Sequence, residues 1–175
     1  ARDAGKIRFL GYSGDNEAAV FAAGIDSISV IETSINFCDQ ANIHAVLPET
    51  ERHDIGIIAK RPVANGAWKQ LSMQQGLYAD YAKTYTERFA QMAITPQELG
   101  FASEDPGVWP EIALRYTLSQ PGVATAIVGT TKVSHLEANV AAAEKGPLDP
   151  SVVVALAQAF HRAETAAGES WTGQR

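Results

Sequence analysis

The chain has 175 residues, of which 46% are hydrophobic and 19% charged, and a net charge of −6. That length supports one domain with a substantial core, and the ordinary globular composition excludes disorder as the default. The acidic balance argues against an extended nucleic-acid footprint, and no apolar run approaches the roughly 20 residues that span a bilayer. The single cysteine, Cys38, cannot form an internal disulfide, which fits a reducing, cytoplasmic compartment.

In chain order, the opening Ala1-Arg2-Asp3-Ala4-Gly5-Lys6 reads as the last turn of a helix with a glycine cap, an arrangement that implies chain upstream. Four short apolar runs follow at 7–12, 28–31, 55–59 and 124–128. They are nearly continuous and rich in β-branched residues, the pattern of parallel strands buried on both faces. Helices are expected between them. Asp15 is placed to cap an alanine-rich helix that ends at Gly24. A second helix is expected over 39–52, with Pro48 breaking or restarting it. Pro110 stands at the expected first position of a helix to Ser119, stopped by Gln120-Pro121-Gly122. Ser134 and Glu137 form a capping-box pattern for a helix through Ala143. Asp149-Pro150 starts a final amphipathic helix that ends near Gly168.

This alternation implies βαβ crossovers. Four such units are half of an eight-unit barrel of about 250 residues. The expected fold is therefore α/β, half of a (βα)8 TIM-type barrel. It has four parallel βα units, a long insertion after the third strand and a C-terminal helix, all in one domain over 1–175. The insertion, 64–107, has no strand signal and is too long for an ordinary connection. It reads as partly helical, and its aromatics Trp68, Tyr78, Tyr81, Tyr85 and Phe89 are candidates to flank a cleft.

The strongest chemical signal is the stretch from Ile127 to Asn139, where a buried strand meets Gly129, then Thr130-Thr131-Lys132, then a helix start. Free backbone N–H groups and the helix dipole favour an anion there. The threonine hydroxyls can donate to phosphate oxygens and Lys132 supplies charge. The plainer alternative is a well-capped turn. Lys60 and Arg61 read equally as solvated strand-end charges, Ser13 as a helix cap and Asn36 as a loop-ordering residue. His44, His53 and His161 fall on expected solvated faces, and no metal-ligand spacing links them. Cys38 reads as a buried thiol rather than a nucleophile.

The same stretch resembles the last strand and loop of the aldo-keto reductases. Other segments agree in order. Gly5-Lys6-Ile7-Arg8-Phe9-Leu10-Gly11-Tyr12-Ser13 resembles the family's fifth strand, Val30-Ile31-Glu32-Thr33-Ser34-Ile35-Asn36 its sixth, and Ile57 to Gly66 its seventh strand and loop. Ala113 to Val123 resembles the helix before the eighth strand. The resemblance implies an NADPH-dependent oxidoreductase acting on aldehydes or ketones, with NAD(H) as the alternative cofactor and no metal. Ser13 would hydrogen-bond the nicotinamide carboxamide, with Gly14 in place of its usual Asn partner. Glu32 stands where the family mostly has Gln, and can accept from the amide but not donate to it. Lys60 replaces the aromatic that stacks on the nicotinamide ring, leaving its alkyl stem to cover it. Arg61, Pro62 and Val63 open the loop that would line the pyrophosphate. Gly129 belongs to the same cofactor-binding loop, and Thr130, Thr131 and Lys132 would face the adenosine 2′-phosphate. His135, also a cofactor-binding candidate, replaces a frequent Arg or Gln, Asn139 would reach the adenine, and Ala138 replaces a frequent acid.

The family reduces carbonyls with an acidic Tyr assisted by Lys, Asp and His from its first four strands. Asp80-Tyr81-Ala82-Lys83-Thr84-Tyr85 has the family's Asp-x-Ala-x-x-Tyr spacing but follows Gln74-Gln75-Gly76-Leu77 in the insertion, and so reads as coincidence. The expectation is a cofactor-binding half whose partners are a nicotinamide dinucleotide and, in a longer protein, a small carbonyl substrate, with no catalytic residue of its own. The alternative is a non-catalytic nucleotide-binding or interaction half-barrel that associates through its open sheet edges. An unrelated phosphate-binding barrel is a third reading.

Overall fold

Four strands, β1 (Leu10–Ser13), β2 (Ile28–Ser34), β3 (Gly56–Lys60) and β4 (Val123–Ala126), form one parallel sheet whose spatial order is the chain order. The computed structural model describes residues 1–69, 77–102 and 107–174, with 77–79 as backbone only. The helices are α1 (Asn16–Ala23), α2 (Ala41–Ala45), α3 (Leu47–Arg52), α4 (Leu77–Met92), α5 (Val108–Leu118), α6 (Val133–Glu144) and α7 (Pro150–Ala167).

One face of the sheet is sealed by a helix layer. Ala19, Ala22 and Ala23 of α1 are buried beside Ile31, Ile57 and Ala59 of the central strands. Small residues on α1 let the helix lie close to the β-branched surface. Strand alternation then turns Val30, Glu32 and Ser34 of β2, and Ile58 and Lys60 of β3, to the opposite face. The expectation of strands buried on both faces holds for neither edge. Leu10 and Ser13 of β1 are exposed, as are Ala124 and Thr125 of β4. The physical reason is that no further strand hydrogen-bonds to β1 or β4 among the described residues.

The second core lies under the insertion. Phe37, Tyr85, Ile112, Tyr116 and Leu156 are fully or nearly fully buried in it. The ring of Phe37 stacks on Trp109 at 5.7 Å, and Phe89 meets Trp109 edge-on at 4.8 Å. The insertion aromatics therefore mostly build core instead of flanking a cleft. Trp68, Tyr85 and Phe89 pack inward, and Tyr81 alone of those with described side chains is 43% exposed. Gln74, Gln75, Gly76 and the side chain of Tyr78 lie outside the described residues.

Local signals mark most element ends. Asp149 accepts from the Ser151 amide at 2.8 Å, Pro150 opens α7, and Gly168 closes it in the left-handed region at φ 70°. The expected helix over 39–52 is split at Val46, with Pro48 in the first turn of α3. Pro110 is the third residue of α5 rather than the first. Any of a helix's first N–H groups lacks an intrahelical partner, so proline fits there equally. The Ser134 and Glu137 capping box does not form. The Lys132 amide donates instead to Thr130 Oγ1 at 3.2 Å, and the helix starts at Val133, two residues before the start that a Ser134 cap would set.

Candidate functional site

The C-terminal ends of the strands are where ligands sit in parallel α/β barrels. Ser13 ends β1 opposite Glu32, and Ser34 ends β2 opposite Lys60. Because Ile31 and Thr33 turn into the helix layer, Ser13, Glu32, Ser34 and Lys60 share the other face. Three of the residues expected to hold a nicotinamide are thus brought to one surface by register alone. Gly14, in the place of the expected Asn, lies under the Tyr12 ring: a Cβ there would come within 2.6 Å of it.

Asp15 was not among the expected ligands, and its expected role as a helix cap is not the one it plays. It occupies the cap position in an extended conformation, but its carboxylate makes no bond to α1. Oδ1 accepts from the Ser34 amide at 2.8 Å, from Thr33 Oγ1 at 3.1 Å and from Asn42 Nδ2 at 3.0 Å. Oδ2 pairs with Lys60 Nζ at 2.8 Å and lies 3.8 Å from the Arg61 guanidinium. Burial pushes the Asp15 carboxyl up, but the hydrogen bonds from Lys60 and the Ser34 amide outweigh it, so it stays below its ordinary value. Lys60 and Arg61 are therefore paired charges and not solvated ones. The sequence signal was available: two cations closing a strand need an acid at a neighbouring strand end.

Arg61 begins a loop of unusual backbone. Arg61, Ala64 and Asn65 all have positive φ, at 56°, 45° and 51°. Non-glycine residues rarely adopt that region, and clusters of them mark functional or tightly constrained segments. The loop is pinned from below by Asn36 Nδ2, which donates to the Arg61 carbonyl at 3.1 Å, while Asn36 Oδ1 accepts from the Cys38 amide. The loop-ordering reading of Asn36 thus holds. Thr117 Oγ1 of α5 lies within 3.2 Å of the Pro62 carbonyl, and Val63 follows it at the turn.

The second expected loop follows β4, whose partner is β3, so the two loops emerge from adjacent strands. Gly129, Thr130, Thr131, Lys132 and His135 are all exposed, and Asn139 is half-buried one turn beyond His135. Of these side chains, the Thr130 hydroxyl bonds within its own loop, to the Lys132 amide and carbonyl. His44, His53 and His161 are exposed as expected, and Cys38 is a buried packing residue with its thiol pushed up by burial.

A buried polar cluster adjoins the site and was not anticipated. Tyr85 on α4 donates to Asp39 Oδ2 at 2.6 Å, and Arg88 donates to the Cys38 carbonyl at 3.2 Å. Burial raises the Asp39 carboxyl to about 6. The Asp-x-Ala-x-x-Tyr spacing therefore ends on a helix, with its phenol buried against Asp39 and close to Asn36 and Arg61, just beyond the ends of β2 and β3.

Comparison with known proteins agrees with this architecture. The sequence profile described as "Aldo/keto reductase family" matches residues 1–160. The chain belongs to the aldo/keto reductase family. It is 30% identical over 117 residues to the Bacillus subtilis (strain 168) protein called "Uncharacterized oxidoreductase YqkF", covering 63% of this chain and 36% of that one. Its fold matches the holo form of aldo-keto reductase AKR11C1 from Bacillus halodurans with a TM-score of 0.69 and 22% identity, over 90% of this chain and 52% of that one. The apo form matches equally well, with 53% of that chain covered. The chain thus has the fold of half a TIM-type barrel and spans about half the length of those structures.

Proposed function

We propose that residues 1–175 form the cofactor-binding half of an NAD(P)H-dependent reductase of aldehydes or ketones, as one half-barrel domain in which 64–107 is an insertion. The observation that carries this reading is the convergence of Ser13, Glu32 and Lys60 on one face at the strand ends. The two loops expected to bind phosphate flank them. The lone, buried Cys38 is in keeping with a reducing, cytoplasmic setting.

The residues fit a nicotinamide dinucleotide. Glu32 can accept from a carboxamide NH2 while the Ser13 hydroxyl donates to its carbonyl. Lys60, tethered through its Nζ to Asp15, presents its alkyl stem to the face of a ring. The loop with Arg61, Pro62 and Val63, three of whose non-glycine residues have positive φ, would line a pyrophosphate. Gly129, Thr130, Thr131 and Lys132 form an exposed anion cradle at the N-terminus of α6, with His135 and Asn139 beyond it towards a base. When bound, the cofactor supplies the hydride; the chain supplies position and electrostatics. Proton delivery to the carbonyl oxygen falls to residues outside this chain, so the 175 residues alone are expected not to turn over a carbonyl substrate.

Titration of the purified chain with NADPH, NADH and free phosphate tests the reading. Clear preference for a dinucleotide over phosphate is expected, and binding of phosphate alone would point to an unrelated phosphate-binding barrel. Steady NADPH oxidation with a simple aldehyde would overturn the assignment of catalysis to residues elsewhere.

A second reading is favoured by the edges. Phe9 beside β1 is 65% exposed, and Ile127, Val133, Leu136 and Val140 beside and on α6 are 48–72% exposed. Exposed apolar surface flanking two open edges suits pairing with another half-barrel. Sedimentation over a concentration series separates the readings, since a monomer at every concentration argues against self-pairing.

A further inference from the structure

Residues 171–174 follow the left-handed cap of α7 and form no regular element, yet each is fastened. The Trp171 ring packs edge-on against Phe160 at 5.1 Å, with the Arg88 guanidinium 5.3 Å above it. The Thr172 carbonyl accepts from Arg88 Nη2 at 2.9 Å. Asn16 grips Gly173 from both sides, accepting its N–H at 2.6 Å and donating to its carbonyl at 2.9 Å. The Gln174 amide donates to Asp39 Oδ2 at 3.1 Å, its side chain donates to the Tyr81 carbonyl at 3.3 Å, and its own carbonyl accepts from Arg61 Nη1. Gly173 sits where no side chain fits. A Cβ there would lie 2.8 Å from Asn16 Oδ1 and Asn42 Nδ2 and 3.2 Å from Asp15 Cβ.

The Arg61 guanidinium is consequently engaged by protein oxygens. Its Nε donates to Tyr81 Oη at 2.5 Å, and Nη1 donates to Ser34 Oγ at 2.7 Å as well as to Gln174. Guanidinium recognises phosphate through paired N–H donors, and a charged phosphoryl oxygen is a stronger acceptor than a neutral carbonyl or hydroxyl. An anion that takes the Nη1 donors of Arg61 displaces the Gln174 carbonyl.

We propose that residues 171–174 are an intrasteric strap. Docked, they hold Arg61 away from an anionic ligand, and a pyrophosphate group bound at Arg61 releases them. The proposal rests on the reading that loop 61–66 faces a pyrophosphate. Linkage makes the relation reciprocal: whatever factor the docked strap subtracts from anion affinity, the anion subtracts from strap docking.

The test uses the whole chain, with Gly173→Val, which cannot dock against Asn16 and Asn42, and Gln174→Pro, which lacks the N–H that Asp39 accepts. Hydrogen exchange read by mass spectrometry follows the Gly173 and Gln174 amides, and titrations use inorganic pyrophosphate and NADPH. In the wild-type chain both amides should be protected, and saturating pyrophosphate should expose them. Both variants should bind pyrophosphate and NADPH at least about fivefold more tightly, the lower range of ordinary coupling between sites. Unchanged or weaker pyrophosphate binding in the folded variants, or protection that pyrophosphate does not alter, overturns the strap. If NADPH binds wild type and variants alike and preferentially over phosphate, the strap fails while the dinucleotide reading stands. If pyrophosphate releases the strap but NADPH shows no advantage over it, the strap stands and the dinucleotide reading fails. Binding of neither ligand to any form overturns both.

Discussion

The Asp15 carboxylate and the Lys60 ammonium meet at 2.8 Å across the ends of β1 and β3, with the Asp15 side chain only 2% exposed. That contact spans the intervening strand β2 and joins the loop before α1 to the end of β3. Asp15→Asn leaves Lys60 and Arg61 without their buried counter-charge. We expect a loss of about 3 kcal/mol at pH 7, the low end for breaking a buried pair, because Lys60 keeps part of its hydration. Asp15 is held below its ordinary value in the folded chain. Its stabilisation is therefore complete above the unfolded value, near pH 4, and is lost as pH falls through the folded value. Urea unfolding of wild type and variant should differ at pH 7 and converge in strong acid. A gap that persists unchanged would show that the charge is not the cause.

Asp39 works in the opposite sense. Burial lifts its carboxyl to about 6, against the hydrogen bonds from Tyr85 and the Gln174 amide. Because the folded value is the higher one, the stability linked to this group is fully present below about pH 4 and is lost as pH rises through about 6. Asp39→Asn removes that dependence, so the variant should gain on wild type between pH 4 and 7 in thermal melts.

Tyr85→Phe tests the same cluster from the other side. It deletes the donor that meets Asp39 Oδ2 at 2.6 Å and leaves the buried oxygen with the Gln174 amide. A loss of about 1–3 kcal/mol is expected for an under-satisfied buried acceptor, measurable by denaturant unfolding.

Gly14→Asn would restore the family's usual residue in sequence but not in space. Its Cβ would come within 2.6–2.9 Å of the Tyr12 ring. The single variant should be destabilised without gaining affinity for NADPH. Pairing it with Tyr12→Ala should relieve the clash and tighten NADPH binding relative to Tyr12→Ala alone, read by titration.

Lys132→Ala should separate the two cofactors. Lys132 is exposed and has no ion-pair partner among the described residues. If Lys132 meets the 2′-phosphate as proposed, losing its charge should weaken NADPH by about tenfold, or ~1.4 kcal/mol, while leaving NADH nearly unchanged. Equal losses for both would remove Lys132 from the 2′-phosphate site.

What the sequence disclosed depended on whether the deciding contact was local. β2 and β3 announced themselves through β-branched runs, and α7 through Asp149, Pro150 and Gly168, because strand burial and helix caps are decided within a few residues. The capping-box pattern at Ser134 misled because Thr130, two residues before the cap, took the Lys132 amide first. Ser13, Glu32 and Lys60 could be nominated by resemblance, but their common face follows from strand register, which no single segment contains. Asp15 looked like a local cap and turned out to serve residues 19 and 45 positions further on, Ser34 and Lys60. Tyr85 and Gln174 were beyond reach for the same reason, since both find their partner in Asp39.

The order of assembly follows from the topology. Each strand of the sheet lies beside the one before it in the chain, so every parallel pair can close as soon as its crossover is made. A ribosome could deliver such a sheet strand by strand, the first two pairings after crossovers of 14 and 21 residues and the third only after the 62 residues that include the insertion. The grip of Asn16 on Gly173 is different. It joins residues 157 positions apart, so it can form only after all four strands of the sheet have been made. Until then the Asn16 side chain of α1 is left to water, and the docking of Gly173 ties the first crossover of this sheet to the segment after α7.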